Sequence, residues 1–160
     1  MRNLLLFCLT VLLASCSTTT HRTIETPHIE MANSHILDIR HIELTDTATI
    51  LSFEAFGGPG QPIKLNEKTF LEVDGQLYAI RRLEGGEINK YMQLSQQGMH
   101  SFKAIFEPIP MNTKQFDFIE EAKGGCCIWG VDLTGKKEFA RYPEGLPKEL
   151  RGKKKDCPMP

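Results

Sequence analysis

The middle of the chain alternates apolar and polar positions with the period of a β-strand. In "HILDIRHIELTDTATILSFEAF" two β-branched runs, over 36–44 and 48–56, flank the turn-like triplet Thr45-Asp46-Thr47. In the second run Leu51 and Phe53 share one face, and Ser52 and Glu54 share the other. The stretch "GGPGQP" over 57–62 is a loop, because its glycines and prolines cannot sustain a ladder. Asp74-Gly75 between alternating apolar residues marks a tight hairpin joining 70–73 to 76–81. "SFKAIFEPIP" supplies another strand, stopped by Pro108 and Pro110, and "KQFDFIEE" a further one with Phe116 and Phe118 on one face. "CCIWGVDL" is the last. Seven or eight short strands in about 100 residues, with turn chemistry between them, predict an all-β fold, an antiparallel β-sandwich. The only helical candidate is a short one over 146–151. Without a repeating strand, long helix, strand pattern, a parallel α/β sheet is excluded.

Parity assigns the last strand its faces. Trp129, Val131 and Leu133 alternate, so they are expected to face the core together with Cys127, while Cys126 points away with Ile128 and Asp132.

The first residues depart from this pattern. "MRNLLLFCLTVLLASC" has one positive charge, Arg2, then an unbroken apolar run over 4–13, then small residues. That is the layout of a secretory signal, and the run is about half of the roughly 20 residues that a spanning helix needs. Leu13-Ala14-Ser15-Cys16 resembles the lipobox of bacterial lipoproteins. That resemblance implies cleavage before Cys16, diacylglycerol on its sulfur and an acylated amino group. Each buried methylene contributes about 0.8 kcal/mol, so several acyl chains anchor stably. Ser17, where lipoproteins of the inner membrane often carry Asp, favours the outer membrane, and "STTTHR" lacks the acidic cluster linked to surface export. The expected location is therefore the cell envelope, at the outer membrane and facing the periplasm.

The expected organisation is a signal peptide over 1–15, a lipid-anchored tether over 16–33, a sandwich over 34–135 and a basic, mostly irregular tail over 136–160. The chain has 160 residues, with 19 Lys and Arg against 20 Asp and Glu. A balance so near neutral excludes a nucleic-acid partner, which needs a concentrated basic face.

The candidate chemistry is sparse. Cys-Cys within a strand has neither the Cys-x-x-Cys spacing nor the helix N-terminus of redox sites, so packing is the favoured role of Cys126 and Cys127. With Cys16 acylated, Cys126, Cys127 and Cys157 remain as thiols or disulfide partners, an odd number. His41 and Glu43 would share a strand face and are weak metal candidates, two ligands where zinc normally takes three or four from the protein. No nucleophile elbow, phosphate-cradling loop or His-Glu-x-x-His motif occurs, and no catalytic residue or cofactor is expected. Lys153-Lys154-Lys155 reads as a solvated charge run.

Three stretches, "IELTDTATIL" (42–51), "FEPIPMNTKQFDFIE" (106–120) and "IWGVDLTG" (128–135), resemble an immunoglobulin-like accessory module of bacterial lipoproteins. This module, of unknown function, often precedes a thioredoxin-like domain of the TlpA class. The resemblance covers roughly 28–135, and "PEGLPKELRGKKKDCPMP" is similar to the linker that follows the module. It implies an immunoglobulin-like sandwich. The thioredoxin-like domain and its Cys-x-x-Cys have no counterpart up to Pro160, so redox activity is not carried over. The expected function is a non-enzymatic, membrane-anchored module that binds an envelope protein or extended ligand. The alternative is a thiol-redox protein, or an accessory partner of a periplasmic thioredoxin-like protein.

Substituting Cys16→Ala is expected to abolish metabolic labelling by palmitate and to move the protein from the membrane to the soluble fraction. Undiminished labelling would place the lipid on another residue.

Overall fold

The computed structural model describes residues 21–120 and 125–135, and among these it has eleven strands and no helix. The alternating region folds as the antiparallel pair β3 (Leu37–Thr45) and β4 (Thr49–Phe56). Asp74-Gly75 joins β6 (Phe70–Val73) to β7 (Gln76–Glu84), and both turn residues have positive φ, 50° and 82°, as a type I′ turn requires. The later strands are β9 (Met99–Phe106), β10 (Gln115–Ile119) and β11 (Cys127–Asp132). Four shorter strands complete the set: β1 (His21–Glu25), β2 (Ile29–Ala32), β5 (Pro62–Ile63) and β8 (Met92–Gln93).

Nine strands form one antiparallel sheet in the order β1-β3-β4-β9-β7-β6-β10-β11-β2, and β5 pairs β8 in a separate ribbon. The sheet curls into a sandwich because β7 serves both layers. Its first half pairs with β6 and its second half with β9, and the register shifts between Ile80 and Arg82 where the strand changes layer.

The count exceeds the seven or eight strands expected, for two reasons. Two-residue strands such as β5 and β8 carry no alternation to read. The segment assigned to a tether over 16–33 supplies two strands from His21 to Ala32: β1 pairs with β3 in one layer, and β2 pairs with β11 in the other. Thr26, at φ 45°, lies where the chain passes between layers. The signal peptide over 1–15, Cys16 and the tail over 136–160 lie outside the described residues.

Aromatic side chains join the layers. Phe53 of β4 stacks on Phe102 of β9 with ring centroids 5.3 Å apart. Phe118 of β10 reaches across from the other layer to Phe53 at 5.1 Å, and meets Phe106 edge-on at 6.2 Å. Phe116 and Phe118 both enter the core, as their spacing predicts.

The face assignment in β11 is corrected. Cys126 and Ile128 face the main core, whereas Cys127 and Trp129 belong to a second cluster with Phe70 and Ile119. Val131 and Leu133 return to the main core. The parity breaks at Gly130, whose φ is 64°. Across the β10–β11 pair the register shifts between Phe116 and Phe118, and the backbone N–H of Gly130 donates to Asp117 Oδ1 at 2.8 Å. This is a β-bulge built on a left-handed glycine, and it reverses the faces on either side of it. A Cβ at Gly130 would stand 2.6 Å from Glu30 Cγ.

Phe118→Ala is expected to cost about 3–5 kcal/mol in denaturant melts, since it removes the ring that touches both layers. Gly130→Val is expected to cost more than about 1 kcal/mol from its backbone conformation alone. A loss below that from Gly130→Val would contradict the bulge.

Candidate functional site

A largely apolar cavity opens where the β5–β8 ribbon meets the main sheet. It holds about 420 Å³ and is walled by Leu37, Ile63, Met92, Phe102 and Cys126, with Asn33, Lys64 and Glu120 among its polar lining residues. Ile36 is also part of the lining and is 42% exposed.

The loop that follows β4 holds one side of this mouth. Gly57 N–H donates to the carbonyl of Gly98, and Leu94 N–H donates to the carbonyl of Gln61. The side-chain oxygen of Gln61 accepts from Gly58 N–H at 2.9 Å. Gly98, at φ 72°, comes so close to the Gly57 carbonyl that a Cβ would sit 2.2 Å from that oxygen. The glycines read as loop punctuation thus fasten β5 and β8 over the core.

Two side chains fix the opposite wall. Asn33 accepts from Cys127 N–H at 2.7 Å and donates to the Gly125 carbonyl at 3.0 Å. The carboxylate of Glu120 accepts from Cys126 N–H at 2.9 Å, and Glu120 N–H donates to the Cys126 carbonyl. The thiol of Cys126 is free and buried. Burial first, and the Glu120 carboxylate second, push its pKa up from an ordinary 9.0 to about 12. A thiol held protonated at neutral pH is a poor nucleophile and a poor metal ligand.

The other residues singled out from the sequence are placed as follows. Cys127 is disulfide-bonded, and it shares no cavity wall with Cys126. Cys16 and Cys157 lie outside the described residues. His41 and Glu43 do share the outward face of β3, with Nε2 to Oε1 at 3.2 Å. The edge strand β1 brings Glu25 to His41 Nδ1 at 2.8 Å and His21 to Glu43 at 3.7 Å, and Lys103 Nζ lies 3.7 Å from Glu43. These are polar contacts of the partly exposed sheet surface. Among the described residues no group of three or more His, Cys, Asp or Glu is placed to hold a metal.

The sequence reading missed Asn33 and Glu120. Asn33 falls at the end of a segment that reads as a tether, and the role of Glu120 follows only from the antiparallel pairing of β10 with β11, which brings it to Cys126. No local signal marks either residue. Comparison with protein-family models, with curated proteins and with solved structures finds no match.

Cys126 gives the site a measurable pH signature. Its folded pKa lies above its unfolded value, so the stabilisation is fully present below about pH 9 and is lost as the pH rises through about 12. Wild-type stability is therefore expected to fall over that window more steeply than that of Cys126→Ala. Native Cys126 is expected to resist alkylation at pH 8, and labelling at the rate of a free thiol would contradict its burial.

Proposed function

We propose that the chain is a cell-envelope lipoprotein, held at the membrane through acylated Cys16, whose sandwich is a non-enzymatic module binding an envelope protein or extended ligand. The observation that carries this reading is the apolar mouth of about 420 Å³ beside Cys126. Leu37, Ile63, Leu65, Met92 and Phe102 give it apolar walls, and the polar side chains Asn33 and Glu120 at its rim spend their polar atoms on the backbone of 125–127. Such a site recognises by shape and apolar contact, with a few polar groups to orient the ligand. An apolar side chain or short apolar segment of a partner is the occupant that fits it. The resemblance of 28–135 to a lipoprotein accessory module supports the envelope setting of this reading. The thiol-redox alternative gains nothing from Cys126, whose sulfur is buried and held protonated.

A photo-crosslinking residue at Ile36, in the rim, is expected to yield discrete adducts in intact envelopes. The same residue at exposed Arg82, on the far part of β7, serves as control. Adducts no more abundant at Ile36 than at Arg82 would overturn the assignment of the mouth as the binding site.

A further inference from the structure

The large sheet begins at an open edge. β1 stands at the end of the strand order, and among the described residues it pairs only with β3. The N–H of Thr26 donates to the Arg40 carbonyl, so by alternation Ile24 and Arg22 turn their backbone groups toward β3. His21, Thr23 and Glu25 turn theirs the other way, and all three residues are exposed. Sheets blunt such edges with lysine, proline or a bulge. β1 reads HRTIE and pairs with β3 in unbroken register, so it has none of the three. Its one inward-pointing charge is already engaged, since the Arg22 guanidinium donates to the carbonyls of Met111, Thr113 and Leu133.

We infer that β1 is a dimerisation edge, to which β1 of a second copy of this chain adds antiparallel about a two-fold axis at Thr23. The strand is complementary to itself in this register. Thr23 falls opposite Thr23, and His21 falls opposite Glu25 at both ends by symmetry. These are the residues whose backbone groups point outward, so the three N–H donors of each copy meet the three carbonyls of the other. A slip of one residue sets outward groups against inward ones. A slip of two keeps the ladder but loses both His21–Glu25 pairs.

The side chains favour the same register. Threonine opposite threonine and an imidazole opposite a carboxylate are both stabilising cross-strand pairs. The sheet already contains the second kind: Glu25 lies opposite His41, with Oε1 2.8 Å from Nδ1. The Glu25 side chain is still 73% exposed, which leaves its free side for His21 of the second copy. On the inner face Ile24 meets the methylene stem of the second copy's Arg22, whose guanidinium stays on the carbonyls of its own chain. No lining residue of the apolar mouth lies on β1, so the dimer edge goes beyond the mouth reading and stands without it.

Disulfide trapping in intact envelopes tests the register. In such a pair the Cα atoms of Thr23 and its counterpart lie about 5.5 Å apart, within disulfide reach. Those of His21 and its counterpart lie about 13 Å apart, beyond it. Thr23→Cys under a mild oxidant is expected to give a reductant-sensitive dimer, mapped by mass spectrometry as position 23 joined to position 23. His21→Cys is expected to give none. Equal trapping at both positions, no adduct at position 23, or an adduct there with a different protein would overturn the inference. Thr23→Pro supplies a second measurement, because it removes an N–H that faces away from β3 and leaves the β1–β3 ladder in place. In sedimentation of the full-length protein in detergent, it is expected to raise the dimer dissociation constant about tenfold or more. Cys126 is expected to stay protected from alkylation in this variant, which reports an intact fold. An unchanged dissociation constant with Cys126 protected would also overturn the inference.

Discussion

Phe118 is the contact on which the two layers depend. Its ring touches Phe53 and Phe106, which come from two strands of the opposite layer. Burying rings at such spacing contributes beyond their area, because tilted and edge-on pairs satisfy the aromatic quadrupole. The remaining geometry accommodates this contact. For Phe116 and Phe118 both to point inward, β11 must present Ile128 and Val131 opposite them. These stand three residues apart, where a regular strand would place them two apart. The left-handed Gly130 absorbs the extra residue.

The bulge also separates the adjacent cysteines. A regular strand through Val131 and Leu133 would have sent Cys127 inward and Cys126 outward. Because the faces reverse at Gly130, Cys126 becomes a wall of the apolar mouth, and Cys127 moves to the far side of the layer, where it is disulfide-bonded. The layer formed by β6, β10, β11 and β2 consequently buries a second apolar cluster, Phe70, Ile119, Cys127 and Trp129, on the side away from the main core.

The mouth itself arises where the curled sheet is not closed by regular pairing. Two short strands, β5 and β8, lie across that end and are held by backbone bonds from the glycine-rich loop. A cavity made this way has an apolar floor belonging to the core and a rim made of turns. That combination suits recognition of an apolar group, and it places the free Cys126 thiol where burial raises its pKa.

The sequence by itself determined the all-β class, the β3–β4 and β6–β7 hairpins, the inward facing of Leu51, Phe53, Phe116 and Phe118, and the shared face of His41 and Glu43. Each depends on alternation or on turn residues within a few positions, and short-range sterics suffice to decide them. The strands at His21–Glu25 and Ile29–Ala32 were not legible. They are too short and too mixed in composition to show an alternation, and only pairing with β3 and β11 makes them strands. The faces of Cys126, Cys127 and Trp129 were decided by the tertiary structure, because a single inserted residue reverses parity and its position is set by the partner strand. The cavity, with Asn33 and Glu120 at its rim, likewise exists only once segments distant in the chain are packed together.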